Sequence, residues 1–248
     1  MNIIMFIIGT IFGSFYNVVG YRLSKNESII YPPSHCPNCN HKLKFYELIP
    51  ILSYIIQRGK CSNCKQKISI FYPLFELITG LLFSFSYISF GLSPKLIIAL
   101  TFISMLIIIT ISDYLYMIIE DSVLIFFSII LLIEIGIIYG ISEVGISILN
   151  GTISFILMFL LKKFGDFLFK QESMGGGDIK LLFVFGIVLK VPIAMLSIFV
   201  GSLVGLPICL LMVKKDNIIP FGPFLAIGAT ILLLFQIDLN TIINFYGL

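Results

Sequence analysis

Charge is scarce in this sequence. Of its 248 residues only 12% are Asp, Glu, Lys or Arg, while 58% are hydrophobic. A soluble domain of that length has a lower apolar share and about twice the charge, so a wholly aqueous protein is excluded. The amino-terminal stretch "MNIIMFIIGTIFGSFYNVVGYR" has no positive residue ahead of its apolar run; Arg22 and Lys25 come after it, and no A-x-A-like site follows. It therefore reads as a retained first membrane span with its N-terminus outside, rather than a cleaved secretory signal. Neither G-x-x-x-x-G-K-[ST] nor G-x-G-x-x-G occurs, so the sequence offers no nucleotide-phosphate cradle. Internal repeats and low-complexity tracts are also missing. The net charge of +3 is too small to point to a nucleic-acid partner, and none is expected.

What is present is a series of apolar runs, with a mean hydropathy of +1.08. Runs long enough to cross roughly 30 Å of hydrocarbon recur along the chain. They predict an all-α polytopic membrane protein in a lipid bilayer, with about eight transmembrane helices near 3–21, 74–92, 95–112, 122–140, 144–161, 179–191, 193–213 and 220–237. The sixth run is short and also fits a tilted or re-entrant segment. The basic residues settle the count. With eight crossings and both termini outside, Arg22, Lys25, Lys42, Lys44, Arg58, Lys60, Lys65 and Lys67 fall in the first inner loop. Lys162, Lys163, Lys170, Lys180, Lys214 and Lys215 fall at later inner ends, and only Lys95 and Lys190 of the 16 Lys and Arg stay outside. The expected organisation is a first helix over 1–22, a polar cytoplasmic loop over 23–72 and a transmembrane core over 73–248.

The loop holds Cys36-x-x-Cys39, then 21 residues, then Cys61-x-x-Cys64. Two such knuckles supply four thiolates in the tetrahedron that Zn²⁺ prefers, and four thiolates leave no open position for catalysis. A reducing cytoplasm favours a structural zinc over disulfides or a redox role. His35 and His41 flank the first knuckle as alternative ligands or as plain loop histidines. Cys209 lies inside an apolar run and reads as a buried small hydrophobe.

Two acids stand where acids are costly. Asp113 ends the third span and Asp178 opens the sixth, so the topology brings both to the inner face. Acids at span ends also sit harmlessly in the headgroup layer, as Glu120 and Asp121 are expected to do. An acid at a helix start is further favoured by the dipole. Ahead of Asp178, Gly175, Gly176 and Gly177 remove side chains and let a substrate backbone approach. Two facing carboxylates would share a proton, one serving as base on a water while the other polarises a carbonyl. That is aspartyl proteolysis. A proton-coupled transporter using the same carboxylates, with Glu134 as its one deep acid, remains the alternative at this point.

The motifs resemble those of the type IV prepilin peptidases, membrane aspartyl proteases of the GxGD class. "GSFYNVVGYRL" at 13–23, the two-knuckle loop, "YPLFELITG" at 72–80, "MGGGDIKLL" at 174–182 and "IPFGPFLAIG" at 219–228 follow the family's order over nearly the whole length. The resemblance implies that Asp113 and Asp178 are the catalytic acids. Asp121 matches the trailing acid of D-x(6)-P-D, and Asp121, the three glycines and Lys180 are supporting residues. Four positions depart from the pattern: Glu120 for proline, Ser173 for glycine, Phe71 for arginine and Leu48 for asparagine. The resemblance further implies cleavage of type IV prepilins or pseudopilins after a glycine, in the bacterial cytoplasmic membrane. It also implies N-methylation of the new terminus with S-adenosylmethionine, for which the residues themselves suggest no binding site. An assembly scaffold with a dead dyad is disfavoured because both acids are present.

Overall fold

The computed structural model describes residues 1–212 and 219–238; Lys214, Lys215 and residues 239–248 of the tail, all used in the topology expectation, lie outside the described residues. Among the described residues there are helices and no strands, as expected for an all-α membrane protein. The chain divides into two compact units, Met1–Gly91 and Leu92–Leu248.

In the first unit, α1 (Asn2–Leu23) packs antiparallel on α3 (Phe71–Phe90). Between hydrocarbon-soluble helices there is no hydrophobic drive, so close backbone approach and interhelical hydrogen bonds must hold the pair. Gly9 and Gly13, one turn apart, supply the approach: a Cβ on Gly9 would stand 2.8 Å from Gly80 Cα, and one on Gly13 2.9 Å from Glu76 Cα. At the other end of the contact Asn17 Nδ2 donates to the Tyr72 carbonyl at 3.1 Å. Between these helices runs the polar loop, with a single 3₁₀ turn at Phe45–Glu47 and a short α2 (Leu52–Ile56).

The second unit contains α4 (Pro94–Tyr116), α5 (Asp121–Tyr139), α6 (Ile141–Phe169), α7 (Gly176–Met212) and α8 (Gly222–Leu234). Helix α4 is its most deeply buried span, and Pro94 at its start spends no helical N–H. Helices α5 and α6 turn tightly through Gly140, whose φ of 97° suits a residue without Cβ. Helix α6 outlasts its apolar run, continuing past the expected residue 161 through Lys162, Lys163 and Asp166 to Phe169. Among the described residues six helices are long and apolar enough to cross a membrane, and α8 is a shorter apolar helix.

Helix α7 is two helices. Lys190 has φ 65° and ψ 162°, outside the helical region, and Pro192 removes an N–H just beyond it. The first arm lies against α6, where a Cβ on Gly186 would meet the Asn150 carbonyl and Gly151 Cα. The second arm runs antiparallel to α8, with Gly201 against Phe224 and Gly205 against the Phe224 ring, while Gly228 closes on the Ser197 carbonyl. Both Gly177, at the start of the first arm, and Gly222, at the start of α8, touch Ile119. The second arm therefore returns to the level from which the first departs. Split at Lys190, α7 supplies the sixth and seventh of the eight apolar segments expected, which makes the short sixth run an arm of a hairpin.

Candidate active site

Three helix ends of the second unit meet around Asp113: the end of α4 and the starts of α7 and α8. Helix α4 stops one turn beyond it, where Met117 enters the left-handed region at φ 55° and donates its N–H to the Asp113 carbonyl at 2.8 Å. The Asp113 side chain is 6% exposed. Its Oδ2 accepts the backbone N–H of Gly222, the first residue of α8, at 3.0 Å. A helix N-terminus presents unsatisfied N–H groups and the positive end of the dipole, so an acid aimed there is held in one orientation.

Asp178 is the third residue of α7 and is 7% exposed. Its carboxylate lies beside the Gly175 backbone at the start of the helix, where the positive end of the dipole favours an acid. The two carboxylates are within electrostatic reach of each other. Of the three glycines, only one is pinned by packing. A Cβ on Gly177 would stand 2.8 Å from Ile119 Cβ, one on Gly175 3.3 Å from Asp178 Oδ2, and one on Gly176 would meet nothing within 4 Å. Two buried carboxyl groups in mutual reach, with a side-chain-free approach, can hold one proton between them and act together on a water and a carbonyl.

Asp121 and Lys180 stand apart from this pair. Lys180 Nζ donates to both Asp121 carboxylate oxygens at 2.7 Å, tying the start of α5 to the second turn of α7. Asp121 is more than half exposed, as its reading as a headgroup-layer acid requires, but it is paired rather than only solvated. Glu134 is tied to a neighbouring helix, accepting Thr101 Oγ1 at 2.7 Å. That is the arrangement of a single acid facing a helix neighbour, and the other acid buried within a span, Glu76 of α3, is engaged by the Ile51 N–H at 2.7 Å.

In the first unit the four loop thiols converge. The Sγ atoms of Cys36, Cys39, Cys61 and Cys64 all lie within 4.8 Å of one another. Cys36 to Cys64 is 3.8 Å and Cys39 to Cys61 3.9 Å. Tetrahedral Zn²⁺ with bonds of about 2.3 Å sets its sulfurs about 3.8 Å apart, so the donor set fits that ion. Each knuckle is closed by one antiparallel bridge, His35 with Lys42 and Lys60 with Lys67. Neither histidine joins the thiols. His35 Nδ1 meets the Pro33 carbonyl at 2.9 Å, and His41 Nε2 meets Glu47 at 3.1 Å.

The thiols are not equivalent. The His41 backbone N–H beside Cys39 holds that thiol down at about 7. At Cys64 the Gln66 N–H pulls the other way, but burial and the neighbouring thiols push the group up to about 11. Sequence reasoning missed Glu47. It is buried and accepts the Lys44 N–H at 2.8 Å, the Ser62 hydroxyl and His41, so it joins the two knuckles. Burial works to raise its carboxyl, yet the Lys44, Ser62 and His41 donors prevail and hold it below the usual carboxylate range. Gly222 was also missed as a functional residue. Its signal was present in "IPFGPFLAIG", which carried a family resemblance but no role.

Two family descriptions match the chain: the Bacterial Peptidase A24 N-terminal domain over residues 7–90 and the Type IV leader peptidase family over residues 100–210. Among curated relatives, the prepilin leader peptidase/N-methyltransferase of Bacillus subtilis (strain 168) is 37% identical over 248 residues, covering 98% of this chain and 96% of that protein. The protein of the same name from Neisseria gonorrhoeae is 31% identical, covering 91% of this chain and 87% of its own. The one from Pseudomonas aeruginosa is 30% identical, covering 97% and 93%. No solved structure matches.

Proposed function

The chain belongs to the type IV leader peptidase family, and from that premise we propose that it is a membrane aspartyl endopeptidase that removes the leader of type IV prepilins or pseudopilins. The observation that carries the reading is the pairing of Asp113 and Asp178, both buried and in electrostatic reach at converging helix ends. In the hydrolysis, the ionised member takes a proton from water as the water oxygen bonds to the scissile carbonyl carbon. The protonated member donates to the carbonyl oxygen. As the tetrahedral intermediate collapses, the C–N bond breaks, the departing amine takes the proton held by the first carboxylate, and one hydroxyl of the intermediate returns its proton to the second. The Gly222 N–H fixes the Asp113 carboxyl orientation, and Gly177 lets α7 close on Ile119. Asp121 and Lys180 brace the same helix from outside the dyad.

The protein is read as a bacterial cytoplasmic-membrane protein with its 23–72 loop and the dyad on the cytoplasmic side and both termini outside. That orientation follows the basic residues. Cys36, Cys39, Cys61 and Cys64 would hold one structural Zn²⁺, which would staple a loop too small to build its own core. N-methylation of the new terminus by S-adenosylmethionine rests on family membership, and no residue is assigned to the methyl donor.

The test is incubation of the purified protein in detergent with a prepilin and S-adenosylmethionine, with mass spectrometry of the products. The reading expects a released leader ending in glycine and a mature chain carrying one added methyl group. An intact prepilin would refute the peptidase assignment, and an unmethylated mature chain would remove only the second activity.

A further inference from the structure

Within the polar segment 23–72 lies a run with no charge at all, "LIPILSYII" at 48–56. Its large side chains are not gathered into a core: Leu48, Ile49, Leu52, Ile55 and Ile56 are all exposed, Ile56 by 77%. Helix α2 begins after Ile51, whose φ of 61° lies where a β-branched residue is rarely found. The Ile51 N–H donates to Glu76 Oε2 at 2.7 Å, and Glu76 is buried in the second turn of α3.

The packing of α1 on α3 gives the depth of that contact. A Cβ on Gly13 would stand 2.9 Å from Glu76 Cα, so the two residues are level. From Gly13 to its inner end at Leu23, α1 runs on for about 15 Å, half the thickness of a hydrocarbon layer. A glutamate side chain is shorter than that. The Ile51 N–H is therefore held inside the layer and not in the water beyond α1.

We propose that Leu48–Ile56 is a re-entrant segment seated in the inner leaflet, its exposed side chains against lipid acyl chains, while the cysteine knuckles on either side of it stay in water. The inference uses membrane insertion and not the peptidase chemistry. Irregular backbone enters hydrocarbon only where its polar groups are satisfied. Pro50 has no N–H, the Ser53 N–H goes to the Ile49 carbonyl at 3.0 Å, the Ile55 N–H to the Ile51 carbonyl at 3.1 Å, and the Ile51 N–H to Glu76. That gives the buried acid of α3 a purpose, as the acceptor that the turn into α2 lacks. Leu74 and Leu77, on either side of Glu76, are exposed as lipid-facing residues of a span are, so lipid already borders this level. Arg58 and Lys60, both exposed, follow α2 and meet the phosphates of the inner leaflet as the chain leaves. A soluble partner could not reach an apolar surface at this depth, which assigns it to lipid.

The chain contains no tryptophan, so a single one reports its own surroundings. Ile56→Trp is reconstituted as the full chain in phosphatidylcholine and phosphatidylglycerol liposomes, with or without bromine on the acyl chains. Leu77→Trp is the lipid-facing reference and Gln66→Trp the aqueous one. Ile56→Trp is expected to be quenched by brominated lipid to the extent of Leu77→Trp and spared by iodide on both sides, with Gln66→Trp showing the reverse. Behaviour like that of Gln66→Trp, or shielding from both quenchers by protein, would overturn the assignment. Adding Glu76→Ala to Ile56→Trp should weaken bromine quenching and strengthen iodide quenching, whereas Glu76→Gln, which retains a carbonyl oxygen, should keep the values of Ile56→Trp alone. Leu77→Trp in the Glu76→Ala background checks that α3 stays inserted. Unchanged quenching in Glu76→Ala would overturn the anchoring by Glu76.

Discussion

Gly222 and Asp113 are 109 residues apart in sequence and one hydrogen bond apart in the fold, N to Oδ2 at 3.0 Å. The contact also explains why residue 222 is glycine. A Cβ there would stand 2.5 Å from Asp113 Oδ2, closer than any real pair of such atoms, so a side chain would push the carboxylate out of line.

Gly222→Ala is accordingly expected to lower kcat for prepilin cleavage by about 10- to 100-fold, the equivalent of the roughly 1–3 kcal/mol that overpacking costs. Metal content should not change, because the cysteine cluster belongs to the other compact unit. Steady-state kinetics with metal analysis on the same preparation checks both. Wild-type kcat in Gly222→Ala would show that this N–H does not set the Asp113 orientation.

The three consecutive glycines are expected to separate. Gly176→Ala places a methyl in open space and should cleave within about threefold of wild type, paying only a small helix-position effect. Gly177→Ala drives a methyl to 2.8 Å from Ile119 Cβ, a branch point that cannot swing aside as a chain end could. It should lose activity at least about tenfold. Ile119→Ala in the Gly177→Ala background relieves that contact and should recover part of the loss; equal effects of the two glycine changes would contradict the packing argument.

Much of the site was legible in the sequence because its chemistry is local. Cys36, Cys39, Cys61 and Cys64 announce themselves by spacing, and Asp113 and Asp178 by being acids at the margins of apolar runs. The hairpin in α7 was legible too, since Lys190 and Pro192 interrupt one apolar run and the basic residues require two crossings there. Three features were not. The Gly222 N–H is a backbone donor, so the motif that contains Gly222 gives its position but not its role. Glu47 looks like any loop acid until the fold brings Lys44, Ser62 and His41 around it. The pairing of Asp121 with Lys180 joins two residues each singled out alone. The end of α6 was misjudged for a different reason: hydropathy reports where the apolar run stops at Lys162, while the helix goes on to Phe169.

The loop thiols give a prediction about the metal. In the protein as purified all four should resist iodoacetamide, because zinc-bound thiolates are not free to react, and about one zinc per chain should be measured. A chelator should remove the zinc, open all four cysteines to alkylation and leave the 23–72 loop sensitive to protease, since the metal staples it. Ready alkylation of all four without a chelator, or a loop that stays protease-resistant after stripping, would contradict it.

The most direct test of the account is the cleavage rate of Asp113→Asn and Asp178→Asn, each verified as membrane-inserted and metal-loaded, beside Asp121→Asn. An amide keeps the carboxyl shape but can neither take a proton from water nor share one with its partner. The account predicts that each of the first two loses on the order of 10²–10⁴ in rate or more. Asp121→Asn breaks only a half-exposed ion pair, worth about 0–1 kcal/mol, and should cost less than about tenfold. Normal cleavage by both Asp113→Asn and Asp178→Asn, or an inactive Asp121→Asn beside an active Asp113→Asn, would contradict the assignment of the dyad.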